Sequence, residues 1–298
     1  MSKLTKHIGG SQALLGAAFL FALTNVLVRE MSTMWGDQAQ VAVRFAIVWI
    51  ILVIFAQASN KKVSIPKAKK LSAVLYALCA GTAILFFTLS VQSTTIANTL
   101  FTSNATELFV AFLLGTALLH EKLTAKKFIA IGFAIAGLAF YAESIVTGSI
   151  GIIFGLLAGA TTAICNLLAK KLKGVDLWAI MRVQFGIGTL FMIALTVIFS
   201  PDDILRTVSI AGIVATIAFS LILIAATRLV LYGFQNSDIN IASVILSSQL
   251  AFGALLGYFI YQEVLSPNEL ISGIFILCAA IVGGLSQKNT ERNINTRT

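Results

Sequence analysis

The chain has 298 residues, of which 58% are hydrophobic and only 11% charged, and its mean hydropathy is +0.94. Soluble domains carry about 25% charged residues, so this composition excludes a soluble globular protein and predicts one that lies in a lipid bilayer. The formal net charge of +9 would suit a nucleic-acid partner in a soluble protein. In a membrane protein it must instead be judged by where Lys and Arg lie between the apolar segments.

Ten segments are apolar enough to cross a bilayer, which takes about 20 residues. They are residues 11–31, 38–57, 71–91, 95–119, 126–142, 150–170, 177–199, 210–233, 239–261 and 268–286. Short connections marked by charge, Gly, Pro or capping residues separate them. The sequence therefore predicts an all-α integral membrane protein with ten transmembrane helices. The basic N-terminus lacks a clear cleavage site, so we expect an uncleaved first helix.

The basic residues predict the orientation of these helices. Sixteen Lys and Arg residues fall in the tails and connections on one side, whereas only Arg29 and Arg206 fall on the other. Because positive charge stays on the cytoplasmic side, we expect both termini in the cytoplasm of a multi-pass protein of the plasma or inner membrane. This distribution accounts for the net charge without a nucleic-acid partner.

One short phrase occurs twice. Residues 113–124 read LLGTALLHEKLT and residues 255–266 read LLGYFIYQEVLS, so Gly115 and Glu121 recur as Gly257 and Glu263, 142 positions later. Each copy ends the fourth helix of a set of five, and an odd set reverses the direction of the next. The sequence thus predicts two inverted five-helix repeats, residues 11–143 and 150–286, with cytoplasmic tails 1–10 and 287–298.

We expect Glu121 and Glu263 to order their turns by accepting hydrogen bonds from the first amides of the helix that follows. Two further matches occur in the same order in both halves: Asn25 resembles Asn166, and Arg44 resembles Arg182. Glycines such as Gly132 and Gly159 are interpreted as sites of close helix packing.

Ten helices in two inverted halves, each with the phrase Gly-x5-Glu-x-Leu-Thr/Ser, resemble the EamA-domain branch of the drug/metabolite transporter superfamily. The resemblance covers essentially the whole chain. It implies a secondary transporter that exports or exchanges small metabolites, often amino acids or related compounds. Relatives usually have a Pro early in helices 4 and 9, where this chain has Leu108 and Leu250.

Polar residues near the membrane midplane indicate where a substrate would bind, because they are costly in hydrocarbon. The candidate substrate or coupling residues are Glu107, Asn98, Thr102, Thr106, Asn25, Asn166, Arg44, Arg182, Ser247 and Gln249. Glu107 is central, since it could exchange a proton or hold a substrate ammonium, and Gln249 takes its position in the second half. The alternatives are that Glu107 is a structural partner of an Arg, that both Arg side chains reach the membrane surface, and that the hydroxyls join helices.

Other functions have less support in the sequence. The only histidines are His7 and His120, and the three cysteines lie in apolar runs without metal-ligand spacing. No zinc-protease, serine-hydrolase or nucleotide-binding phrase is present, so we expect no enzyme, cofactor or metal. A channel or an unrecognised membrane enzyme remains the alternative to a carrier whose halves rock about a midplane cavity. The expected partners are a small-molecule substrate, the lipid bilayer and coupling protons, with the choice of monomer or homodimer open.

Overall fold

The computed structural model describes residues 9–58, 64–94, 96–121, 124–141, 150–262 and 267–295. Its helices are α1 (Gly10–Met34), α2 (Asp37–Ala58), α3 (Lys70–Ser93), α4 (Ile96–Ala117), α5 (Ala125–Tyr141), α6 (Ile150–Lys171), α7 (Leu177–Phe199), α8 (Ile210–Asn236), α9 (Ile239–Leu246), α10 (Gln249–Tyr261) and α11 (Pro267–Asn295). A short 3-10 helix, Lys67–Lys69, precedes α3. Within these ranges the extended structure is limited to one bridge, between Trp35 and Leu205. The prediction of an all-α protein is confirmed.

Seven described segments are long and apolar enough to cross a membrane: Gln38–Ala58, Lys67–Ser90, Thr99–Ala117, Ile150–Lys171, Leu177–Phe199, Ile210–Asn236 and Ile239–Ile260. Apolar stretches in α1 and α11, Gly10–Thr24 and Leu270–Leu285, are shorter. Large apolar side chains cover the outside, such as Ile210 at 83% and Leu190 at 72% exposure. Such a surface requires lipid rather than water, so the chain is a multi-pass membrane protein. Ten crossings stay a prediction.

Helix ends are fixed by local side chains where the loops are polar. The Asp176 carboxylate accepts hydrogen bonds from the amides of Trp178 and Ala179, at 2.8 and 3.3 Å, and so caps α7. The Ser209 hydroxyl caps α8 by accepting from the Gly212 amide at 3.0 Å. These contacts satisfy amides that have no partner within their own helix.

The predicted ninth span is not one continuous helix. It ends at Leu246, turns through Ser247 and Ser248, and resumes as α10 at Gln249. Both serine hydroxyls donate at 2.7 Å to a carbonyl three residues back, Ser247 to Val244 and Ser248 to Ile245. Hydroxyls that bond their own backbone in this way bend helices, so the break forms without a proline. The corresponding α4 is continuous across Leu108.

Most close packing joins a helix of the first half to one of the second half. The main pairs are α1 with α8, α3 with α6, α4 with α6, α5 with α11 and α2 with α7. The short α9 lies inside this arrangement, where it contacts α1, α4, α5, α6 and α11, and all eight of its residues are buried. The two halves are therefore interleaved rather than separate, with α9 at the centre.

Candidate functional site

Two residues predicted from the sequence meet in the interior. The Asn166 Nδ2 atom on α6 donates a hydrogen bond to Glu107 Oε1 on α4 at 3.0 Å. Both side chains are buried, at 8% exposure for Glu107 and 5% for Asn166. The ion pairs among the described side chains do not include Glu107. Its charge is thus met by a neutral amide there, not by the Arg that a purely structural role would favour.

Glycines on α6 allow this helix to pack closely against α4. A Cβ atom at Gly159 would overlap the carbonyl oxygen of Ser103, and one at Gly155 would overlap the Thr102 hydroxyl. A turn earlier on α6, a Cβ atom at Gly151 would lie 2.9 Å from the Ser93 carbonyl carbon. Three glycines at four-residue spacing therefore bring the backbone of α6 against the end of α3 and the polar face of α4, as small residues do in membrane helix pairs.

Polar residues of α4 lie in this interface, and several of them join helices. The hydroxyls of Ser90 and Thr99 are 2.8 Å apart, and Ser90 also donates to the Gly151 carbonyl at 2.7 Å. Thr102 is buried and donates to the Thr99 carbonyl at 3.2 Å, whereas Thr106 is half-buried. The side chains of Asn25 and Asn98 and the whole of Glu263 fall outside the part of the chain that the structure describes.

Helix α9 adds polar groups to the same region. Ser243 is buried beside the Glu107 carboxylate, and its hydroxyl has no well-formed hydrogen bond to another described residue. Asn240, one turn earlier, is buried against Gly115, about two turns from Glu107 on α4, and both its side-chain amide atoms are unpaired among the described residues. Unpaired buried polar atoms cost about 1–3 kcal/mol each, which makes them candidate ligand contacts. Sequence reasoning did not select Asn240, although an Asn inside the apolar run INIASVIL was a usable signal.

The remaining candidate residues have contacts or surroundings other than those of Glu107 and Asn166. Ser247 already donates to Val244, and the half-buried Gln249 begins α10. Arg44 is buried with its guanidinium carbon 4.6 Å from the centroid of the Phe219 ring on α8. Arg182 lines a groove of about 640 Å³ between α2, α3 and α7, whose lining residues do not include Glu107 or Asn166.

The first copy of the repeated phrase contacts a helix that is distant in the sequence. The Glu121 carboxylate accepts hydrogen bonds from the amides of Ile239 and Asn240, at 2.8 and 3.4 Å, which begin α9 rather than the following helix α5. The start of α9 folds back against the end of α4, so these contacts are tertiary, and the expected bonds from Glu121 to the first amides of α5 stay a prediction. Gly115 leaves room for this, since a Cβ atom there would lie 2.7 Å from the Ile239 side chain. Gly257 lies in α10.

Glu121 also belongs to a group of four charges that joins α4, α5, α6 and α9. Lys170 lies 2.6 Å from Glu121 and 3.8 Å from Asp238, and Lys127 lies 2.7 Å from Asp238. We call Glu121, Lys127, Lys170 and Asp238 the charged cluster. It links both halves of the chain at the end where α9 begins. Among the described residues, no group of three or more His, Cys, Asp and Glu could hold a metal ion.

Comparisons with known proteins agree with this architecture. A curated protein of Archaeoglobus fulgidus named an uncharacterized transporter is 24% identical over 168 residues, which are 56% of this chain and 60% of that protein. A protein of known crystal structure shares the fold, with a TM-score of 0.78 at 13% identity over 95% of this chain and 98% of that one. The model of the EamA-like transporter family matches residues 8–142 and again residues 149–283. The chain therefore belongs to the EamA-like transporter family of membrane transporters.

Proposed function

We propose that this transporter is a secondary carrier that exports or exchanges a small metabolite, an amino acid or a related compound, by alternating access between two inverted five-helix repeats. The observation that carries the proposal is the buried Glu107 carboxylate, held by the neutral Asn166 amide between α4 and α6. Transporters built from inverted repeats bind substrate and coupling ions at the interface of the repeats.

The helix pairs support the inverted repeat. If α1, α2, α3 and α5 correspond to α6, α7, α8 and α11, then α4 corresponds to α9 with α10. Exchanging the halves turns the pair α1–α8 into α6–α3, and it turns α4–α6 into the contacts of α9 and α10 with α1. The pairs α2–α7 and α5–α11 map onto themselves. A two-fold relation between the halves gives this pattern, whereas unrelated halves have no reason to produce it.

The chemistry at Glu107 supports a proton or a cation as its mobile partner. An intramembrane carboxylate without a cationic neighbour is unfavourable, and Asn166 can donate a hydrogen bond to it without neutralising it. A proton or a substrate ammonium would neutralise it. The Ser243 hydroxyl is suited to hold the polar part of the substrate beside that charge, and the unpaired amide of Asn240 offers a further polar contact toward the start of α9.

Contacts at both ends of α1 support alternating access. Near the start of α1, a Cβ atom at Gly10 would lie 3.1 Å from the carbonyl oxygen of Asn236, the last residue of α8. Asp238 of the charged cluster lies two residues further on, just before α9. At the end of α1, the Arg206 amide donates to the Met34 carbonyl at 2.8 Å and its guanidinium to the Ser32 carbonyl at 2.9 Å. These contacts lie about 35 Å apart along the helix. Opening one end while the other stays closed would expose Glu107 to one side at a time.

The test is uptake of a panel of radiolabelled amino acids and related amines by proteoliposomes of the purified protein, with and without a pH gradient. We expect saturable uptake of at least one compound, which Glu107→Gln abolishes and Glu107→Gln with Gln249→Glu partly restores. Asp202→Asn, at an exposed carboxylate, is the control. Flux that rises linearly with concentration would indicate a channel and contradict the carrier. Full activity in Glu107→Gln would contradict the role of this residue.

A further inference from the structure

A groove lies away from Glu107, on the face of the protein between α2, α3 and α7. Its volume is about 640 Å³, and its walls are mostly apolar, from Trp49 and Val53 on α2 to Leu190 on α7. Leu190 is 72% exposed, Trp49 41% and Val74 38%. In a bilayer these side chains face hydrocarbon, so the groove opens toward lipid rather than toward a water-filled cavity.

A glycine lets α2 and α7 approach each other closely in this groove. Gly186 lies in the groove wall, and a Cβ atom there would lie 2.9 Å from the Trp49 indole nitrogen. Ala73 and Ala179 are the other small residues of the lining. A slot with small residues on its floor and large apolar residues on its rim is suited to a flexible hydrocarbon chain.

One end of the groove is basic. Its lining includes Lys70, the first residue of α3, and Arg182, the sixth residue of α7. Both helices begin at the same end, because the Lys69 ammonium donates a hydrogen bond to the Lys173 carbonyl in the turn before α7. Lys67 adds a further exposed cation there. Asp176 is the acidic residue of this turn, and its carboxylate is occupied by the first amides of α7.

The dimensions match a lipid. Leu190 lies thirteen residues after the start of α7, about 20 Å along the helix axis, and Arg182 lies about 8 Å along it. The cations are therefore at the depth of headgroups and the apolar walls at the depth of acyl chains. Basic pockets between transmembrane helices bind anionic headgroups. We propose that this groove binds an anionic phospholipid, with its phosphate between Lys70 and Arg182 and one acyl chain along Trp49, Val74 and Leu190.

The test compares lipid binding by native mass spectrometry of the purified full-length chain, with dioleoyl phosphatidylglycerol and dioleoyl phosphatidylcholine as probes. We expect the wild type to prefer phosphatidylglycerol, and Lys70→Ala with Arg182→Ala to weaken its binding about tenfold, since each surface cation contributes to anionic-lipid affinity. Lys126→Ala with Lys171→Ala removes two exposed cations that do not line the groove, and it should leave the preference unchanged. Lys70→Arg with Arg182→Lys should also retain it.

Two further measurements test whether the lipid binds in the groove itself. Val74→Trp fills the groove while leaving both cations, and we expect it to weaken binding of phosphatidylglycerol. Soluble glycerol phosphate should not compete with the lipid, because it lacks the acyl chain. Absence of a preference in the wild type, equal losses in both double alanine variants, or full binding by Val74→Trp would each overturn the proposal.

Discussion

Glu121 accepts a hydrogen bond at 2.8 Å from the amide of Ile239, the first residue of α9, although 118 residues separate them in the chain. The same carboxylate oxygen lies 2.6 Å from Lys170 Nζ, and the Glu121 side chain is only 5% exposed. A carboxylate at a helix N-terminus satisfies otherwise unpaired amides and interacts favourably with the helix dipole. The repeated phrase thus joins the end of α4 to the helix beside Glu107.

Replacing this carboxylate should therefore loosen α9. We expect Glu121→Ala to lower the free energy of unfolding by about 1–3 kcal/mol, because it leaves two buried amides and Lys170 without their acceptor. The measurement is thermal unfolding in detergent, with Glu30→Ala at an exposed carboxylate as control. Equal stability of the two variants would show that the contact contributes nothing.

The turns at the ends of α4 and α10 have the same unusual backbone. Among the described non-glycine residues, His120 with φ 52° and Gln262 with φ 55° are the two with positive φ, and they lie 142 positions apart. The αL conformation disfavours β-branched residues by about 1–2 kcal/mol. We expect His120→Val and Gln262→Val to lower unfolding free energy by similar amounts and the matching glycine variants to cause no loss. A loss in one turn alone would contradict their equivalence.

The predicted orientation can be checked with single cysteines. In a variant with Cys79, Cys165 and Cys278 replaced, Lys67→Cys before α3 and Asp202→Cys between α7 and α8 both place thiols at exposed positions. If the basic side is cytoplasmic, a membrane-impermeant maleimide applied to intact cells should label position 202 and not position 67. Gly148 offers a second external position outside the described residues. Equal labelling of both thiols from outside would contradict the ten-helix inverted arrangement.

Membrane helices could be predicted from the sequence because long apolar runs dictate them, and Glu107 was identifiable because a charge in such a run is costly. The pairing of Glu107 with Asn166 could be predicted only in part. The sequence identifies both residues as candidates, but their contact depends on how the glycines of α6 pack. The break at Ser247 and Ser248 was not accessible from apolar periodicity, since hydroxyls that bond their own backbone leave that pattern unchanged. The contact of Glu121 with α9 could not be predicted, because capping residues usually bond to amides close by in the sequence, whereas Ile239 is 118 residues away.

Acid should weaken one ion pair outside the membrane, in the loop between α7 and α8. The Arg206 guanidinium donates to both oxygens of Asp203, at 2.7 and 2.6 Å, and these bonds lower the pKa of Asp203. Since the folded-state value is the lower one, the stabilisation is present at neutral pH and is lost as pH falls below the usual Asp value through the lowered pKa.

For this exposed pair the effect should be small, under about 1 kcal/mol. We expect Asp203→Asn to be slightly less stable than the wild type at pH 7, with the difference disappearing as the pH falls below the lowered pKa of Asp203, and in high salt. Thermal unfolding across this range is the measurement, and Asp202→Asn is the neighbouring control. A difference that stays constant with pH would show that the Asp203 charge is not its source.

The close contact of α4 and α6 gives the sharpest test of the site's architecture, because the chain supplies its own control. A Cβ atom at Gly159 would overlap the Ser103 carbonyl oxygen, a backbone atom that cannot rotate away. A Cβ atom at Gly132 on α5 would meet nothing within 4 Å, so the interpretation of Gly132 as a site of close packing is wrong. Gly159 precedes Asn166 by two turns on α6, so separating the helices here also draws the Asn166 amide from Glu107. We expect Gly159→Ala to lower the unfolding free energy by about 1–3 kcal/mol and to reduce transport. Gly132→Ala should leave transport unchanged and raise stability by up to about 1 kcal/mol, since Ala is the better helix former. If both variants unfold at the same temperature and transport at the same rate, the approach of α6 to α4 does not position Asn166.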